Sequence, residues 1–263
     1  MICSTTRVTL ETRLALPLAC EVAIVTPVYG NAATLPALAQ RVKYAISETR
    51  DYRLVFVVDA SPDDSWRVIE QLAHADNRVC GVLLDRNVGQ HRALLVGLRM
   101  VRARWAAIMD GDLQDPPELL PALIEECELS GVTVFAQRHG RYQGLGRMVT
   151  SRLFKHLLRM LVDLPANVGA FFIVPEQVAE RMRCANVHHP QMVVMAGSFS
   201  PDWRVVGFTR PQRADGESAY SGLKRLQSAL TALACAWECK GLDVRGPSPM
   251  RQNNAAIISR VNI

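Results

Sequence analysis

The residues best suited to chemistry sit in one short stretch, Met109-Asp-Gly-Asp-Leu-Gln-Asp-Pro-Pro-Glu118, where an apolar run delivers two carboxylates one glycine apart. In an extended segment side chains repeat every second residue, so Asp110 and Asp112 are expected to project to one side. Gly111 between them lets a ligand approach the backbone closely. With the amide oxygen of Gln114 two residues on, the pair offers hard oxygen donors suited to Mg²⁺ or Mn²⁺, with coordination positions left for a diphosphate. Asp-x-Asp also occurs in surface turns; its place at the end of a buried-looking strand distinguishes this one. Asp115 carries two readings. Followed by Pro116, Pro117 and Glu118 it reads as the N-cap of a helix, and its position also suits a general base.

Such a pair needs a rigid platform. Apolar runs rich in β-branched residues alternate with segments of helical period through the first half, the pattern of βαβ units building a mostly parallel sheet. Strands are expected at Val22–Thr26, Arg53–Asp59, Val79–Leu84, Trp105–Asp110 and Val132–Ala136. Helices are expected at Ala33–Ser47, Asp63–His74, Gln90–Arg102 and Pro116–Leu129. This places Pro27, Asp59, Asn87 and Asp110 along one rim, where open α/β sheets bind ligands. The second half is less regular, with strands at Ala170–Val174 and Trp203–Phe208 and helices at Met148–Leu161, Pro175–Arg183 and Leu223–Glu238. The expected division is an N-terminal extension (1–20), an α/β half that carries the ligand rim (21–137), a less regular second half of the same domain (138–240) and a loosely ordered tail (241–263).

Composition limits the alternatives. The 263 residues are 49% hydrophobic and 21% charged, the profile of an ordinary globular chain. A formal charge of +5 is too small and dispersed for a nucleic-acid surface. The basic residues are almost all Arg, with Lys only at 43, 155, 224 and 240, which supplies forked groups suited to phosphate. Seven scattered cysteines form no paired metal knuckles and fit a reducing compartment. His188-His189 resembles half a metal site without a third ligand. No window approaches the roughly 20 apolar residues of a membrane span. A cytoplasmic protein is expected, with peripheral membrane contact open through the amphipathic stretch 223–237.

Five blocks in order resemble the family 2 glycosyltransferases of GT-A fold, and within them the polyprenyl-phosphate branch that includes dolichol-phosphate mannosyltransferase. They are Val25-Thr-Pro-Val-Tyr29, Val58-Asp-Ala-Ser-Pro-Asp-Asp-Ser-Trp66, Asn87-Val-Gly-Gln-His-Arg-Ala-Leu-Leu95, Asp110-Gly-Asp-Leu-Gln-Asp-Pro-Pro-Glu118 and Gly216-Glu-Ser-Ala-Tyr220. The resemblance implies a Rossmann-like, mostly parallel sheet flanked by helices and a smaller, irregular acceptor-side half. It implies that Pro27, Val28 and Tyr29 line the nucleotide, that Asp59 reads the base, and that Asp110, Gly111 and Asp112 with Gln114 hold the metal and diphosphate. Arg138 and Arg147 would hold phosphates, and Arg210 and Arg213 lie in or beside a loop that closes over the donor. Asp112, Asp115, Arg138 and Arg147 are the residues expected to act in the transfer.

Departures from the pattern bear on the acceptor. Asn31 stands near where relatives carry a glutamate that meets the nucleotide's sugar, and Val58 replaces the first acid of the second-strand motif. Gly169-Ala-Phe-Phe172 replaces Gly-Asp-Phe-Arg, which suggests a reshaped acceptor pocket, and Ala219 replaces a lysine. The resulting expectation is a metal-dependent, inverting transfer from a UDP- or GDP-sugar to a soluble acceptor. The alternatives are a polyprenyl phosphate acceptor and an inactive nucleotide-sugar-binding descendant. Tyr29-Gly-Asn-Ala-Ala33 lacks the basic Gly-rich loop of a nucleotidyltransferase.

Overall fold

Strands and helices alternate from the first described residue. The computed structural model describes residues 18–46, 48, 50–139, 158, 161–209, 222–242 and 257–262. Its strands are β1 (Leu18–Val28), β2 (Tyr52–Val58), β3 (Val79–Leu84), β4 (Val101–Ile108), β5 (Thr133–His139), β6 (Val168–Pro175), β7 (Trp203–Thr209) and β8 (Ile257–Val261). Its α-helices are α1 (Leu35–Ile46), α2 (Ser65–Ala75), α3 (Gln90–Arg99), α4 (Leu120–Ser130), α5 (Glu176–Cys184), α6 (Met192–Phe199) and α7 (Gly222–Gly241). All eight strands join one sheet in the order β7-β5-β6-β4-β1-β2-β3-β8.

The pairings β1–β2, β2–β3, β1–β4 and β5–β7 are parallel, whereas β6 and β8 run antiparallel to their neighbours. This is the mostly parallel, helix-flanked sheet that the alternating pattern predicts. Apolar cores form on both faces: α1, α2 and α4 cover one, and α3, α5, α6 and α7 cover the other. The double coverage explains why Val22, Ala23, Ile24 and Val25 are all fully buried. The chain leaves β1 toward β2 and β3 on one side, while β4 occupies the other, with Val25 opposite Ile108. That reversal opens a crevice beyond the carboxyl ends of β1 and β4.

Several boundaries differ from those expected. The helix after Gln90 stops at Arg99 rather than Arg102, because Val101-Arg-Ala-Arg104 alternates buried and exposed residues and joins β4. The helix expected from Pro116 begins as a 3-10 turn, Pro117–Leu119, before α4; such short 3-10 turns are frequent at the amino ends of α-helices. Asp115 is not its cap, since Pro116 holds that position with no side-chain cap. The C-terminal stretch is not without regular structure: Ile257–Val261 pairs antiparallel to β3, with Ile257, Ser259 and Val261 half-buried and Ile258 and Arg260 exposed. Phe172 is fully buried and packs on Phe135, with ring centroids 5.6 Å apart, so it fills core rather than reshaping an acceptor pocket. Most of the helix expected at Met148–Leu161 lies outside the described residues, as does the Arg210–Tyr220 turn.

Candidate active site

The crevice holds a cleft of about 350 Å³ lined by Pro27, Val28, Tyr29, Asn31, Asp59, Asn87, Gly89, Gln90, Asp110, Gly111 and Asp112. Four separate segments therefore converge: the ends of β1, β2 and β4, and the turn into α3. Tyr29 is 56% exposed, with its ring available at the cleft. Gly111 runs close against β1, where an added Cβ would lie 3.3 Å from Thr26 Cγ2 and 3.4 Å from the Pro27 carbonyl oxygen. The Gly111 carbonyl accepts from Thr34 Oγ1 at 2.6 Å.

Asp110 and Asp112 share the cleft but not through extended geometry. β4 ends at Ile108, and residues 111–112 form a turn followed by Leu113 at φ +60. A positive φ at leucine is strained, and such strain clusters at working sites. Gln90 Nε2 donates to Asp110 Oδ1 at 2.6 Å, and the Gln114 backbone N–H donates to Asp112 Oδ1 at 3.1 Å. Gln114 does not line the cleft. Among the described residues no three His, Cys, Asp or Glu cluster as metal ligands. An ion here would depend on the two carboxylates, completed by water and phosphate oxygens, a donor set that fits Mg²⁺ or Mn²⁺.

Asp59 is 3% exposed, and its carboxylate accepts the backbone N–H groups of Val88 at 2.7 Å and Gly89 at 2.9 Å. Its direct work is to fix the loop that leads into α3. Asn31 Oδ1 accepts from the Tyr29 N–H at 3.1 Å, holding the β1–α1 loop. Asp63, expected only as the first residue of a helix, latches two rim loops together. It accepts from Ser61 Oγ and Ser65 Oγ, each at 2.6 Å, and from the Ala32 N–H at 3.0 Å, while Ser61 Oγ accepts from the Gly30 N–H at 2.8 Å. Desolvation opposes the charge on Asp63, but these hydrogen bonds outweigh it and bring the pKa down to about 2.

Asp115 is fully buried and paired with Arg138, whose Nη2 lies 3.1 Å from Oδ1 and 3.4 Å from Oδ2. The two residues are 23 positions apart, so no local sequence signal reveals the pair. Gly169 makes room for it, since a Cβ there would fall 2.6 Å from Arg138 Nη2. Asp115 thus anchors an arginine, an arrangement that neither the cap nor the base reading anticipated. Neither Asp115 nor Arg138 lines the cleft. Arg147, Arg210, Arg213 and Ala219 lie outside the described residues.

Comparison with known proteins agrees with this architecture. A family model described as "Glycosyl transferase family 2" matches residues 23–205. The undecaprenyl-phosphate 4-deoxy-4-formamido-L-arabinose transferase of Photorhabdus laumondii is 28% identical over 222 residues, covering 82% of this chain and 67% of that protein. Its namesake from Shewanella sediminis is 31% identical over 203 residues, covering 76% and 61%. The chain thus spans about two thirds of the length of these relatives. Among solved structures, glucosyl-3-phosphoglycerate synthase from Mycobacterium tuberculosis with UDP superposes with a TM-score of 0.60 at 15% identity, covering 85% of this chain and 82% of that one. S. aureus TarS 1–349 with UDP-GlcNAc gives 0.53 at 15% identity, covering 85% and 67%. At these identities the likeness concerns the fold, which is of GT-A type.

Proposed function

The chain belongs to glycosyl transferase family 2, and from that premise we propose that it moves a sugar from a nucleoside diphosphate sugar to a polyprenyl phosphate at a membrane surface. The observation that carries the donor half is the convergence of Tyr29, Asp110 and Asp112 on one cleft at the sheet's switch point. In this reading Tyr29, Pro27 and Val28 bear on the nucleoside, and Asp110 and Asp112 hold Mg²⁺ or Mn²⁺. When bound, the cation offsets the negative charge that grows on the departing diphosphate. Gln90 keeps Asp110 oriented, and Asp59 keeps Gln90's turn in place. The M. tuberculosis synthase has also been crystallised with Mn²⁺ and UDP, in keeping with a divalent ion.

The acceptor half rests on the relatives, whose names specify undecaprenyl phosphate. They favour the lipid phosphate over the soluble acceptor expected first. A phosphate is already ionised near neutral pH and needs no general base. The engagement of Asp115 with Arg138 suits such a reaction, because the buried carboxylate stabilises a guanidinium instead of taking a proton. The described residues contain no helix long and apolar enough to cross a membrane. On α7, Leu230 is 57% and Trp237 71% exposed, two turns apart on one face, as peripheral contact would require. Loss of sedimentation with anionic vesicles in Leu230→Ser with Trp237→Ser checks that contact.

The donor reading is tested by thermal shift with UDP, GDP and their sugars, with and without Mn²⁺. The expected outcome is a rise in Tm with the correct nucleotide that grows with Mn²⁺. Asp112→Ala should lose the Mn²⁺-dependent part and retain the unliganded Tm; undiminished shifts in that variant defeat the metal assignment. Transfer of labelled sugar to undecaprenyl phosphate, absent with soluble phosphate esters, tests the acceptor.

A further inference from the structure

A second groove of about 160 Å³ lies beside the donor cleft, lined by residues that include Gly89, His91, Arg92, His189, Gln191 and Thr231. We infer that this groove, between the first turn of α3, the 188–191 loop and α7, receives the phosphate of the acceptor. The inference deepens the proposed function and rests on its polyprenyl phosphate half.

The wall chemistry is that of an anion site. The Met192 backbone N–H donates to His91 Nδ1 at 3.4 Å, which leaves the ring proton on Nε2, as a donor. Burial lowers the pKa of His91 and keeps that neutral form. Arg92 Nη2 donates to the His188 carbonyl at 2.8 Å, which holds the guanidinium at the groove; its five N–H donors exceed what one carbonyl uses. Thr231 Oγ1 accepts from Gln191 Nε2 at 3.2 Å, joining α7 to the loop. The neighbouring carboxylate, Glu238, braces the same loop: it accepts from the His188 N–H at 2.7 Å and lies 3.3 Å from His189 Nδ1. The amino end of α3 adds its positive dipole.

Placement makes the groove relevant to transfer. Gly89 is common to both cavities, and the next residue, Gln90, holds Asp110. His91 and Arg92, which line the groove, thus directly follow in the chain the residue that orients one of the two cleft carboxylates. On the other side, Thr231 follows the exposed Leu230, and Trp237 continues that face of α7. A phosphate in the groove could thus trail an apolar chain along α7 toward a membrane.

The test uses the full chain with farnesyl phosphate, inorganic phosphate and farnesol as probes, read by calorimetry in the presence of UDP and Mn²⁺. Farnesyl phosphate should bind, inorganic phosphate should compete, and farnesol should not bind. Arg92→Ser combined with His189→Ala should weaken farnesyl phosphate by about tenfold or more, the scale of a lost charge-assisted hydrogen bond. Its UDP–Mn²⁺ shift should be unchanged, which also reports correct folding. Thr231→Trp, which fills the groove, should have the same effect. Wild-type affinity in both variants overturns the groove and leaves the lipid phosphate reading standing. Failure of the wild type to bind farnesyl phosphate overturns both, and equal binding of farnesol overturns phosphate recognition.

Discussion

Aspartates of one chemical type do three different jobs around this cleft. Asp110 and Asp112 line it, Asp59 and Asp63 bind the loops that shape it, and Asp115 neutralises a neighbouring arginine. The pair of cleft carboxylates was legible because residue type, spacing and a preceding apolar run combine in ten consecutive residues. Asp59 was legible as a rim residue, but its grip on Val88 and Gly89 was not, because those amides arrive from another strand's loop. Asp59→Ala removes the buried acceptor of the Val88 and Gly89 N–H groups, two hydrogen bonds worth about 1 kcal/mol each at this partly exposed loop. The expected result is a lower urea midpoint together with weaker nucleotide binding, and Asp59→Asn, which keeps one acceptor oxygen, should fall between.

Helices and strands set the distances between these side chains. α3 lies so close to the sheet that a Cβ at Gly97 would come within 2.5 Å of Val25 Cγ1 and 2.6 Å of Val57 Cγ2. Gly97→Ala must push the helix outward, at about 1–3 kcal/mol of overpacking. Because the same helix carries Gln90, His91 and Arg92, the variant should lose affinity for both nucleotide and farnesyl phosphate, measured by calorimetry alongside Tm. Sequence periodicity located α3 but overran its end, since Val101 and Ala103 continue an apolar pattern that helix and strand can share. Only pairing with β1 assigns them to β4.

Across the whole molecule, acid should act through carboxylates held ionised by their partners. Asp63 is drawn down to about 2, as is Asp76, whose chief cause is its hydrogen bond to Arg78. A folded-state pKa below the unfolded value contributes stability above the unfolded pKa, near 4, and loses it as pH falls through the folded one. Tm should therefore be nearly level above about pH 5 and decline steadily toward pH 2. Asp76→Asn should have a lower plateau and a shallower decline.

The sequence by itself determined the class of sheet, the family and the carboxylate pair, because each depends on periodicity or on residues adjacent in the chain. Tertiary structure decided what depends on residues distant in the chain: the insertion of β6 beside β4, the return of β8 to pair with β3, the burial of Phe172, the Asp115–Arg138 pair over Gly169, and the groove beside Gly89. These contacts join positions tens to nearly two hundred residues apart. Local propensity cannot encode them, because they are selected only when whole faces of sheet and helix compete to be buried.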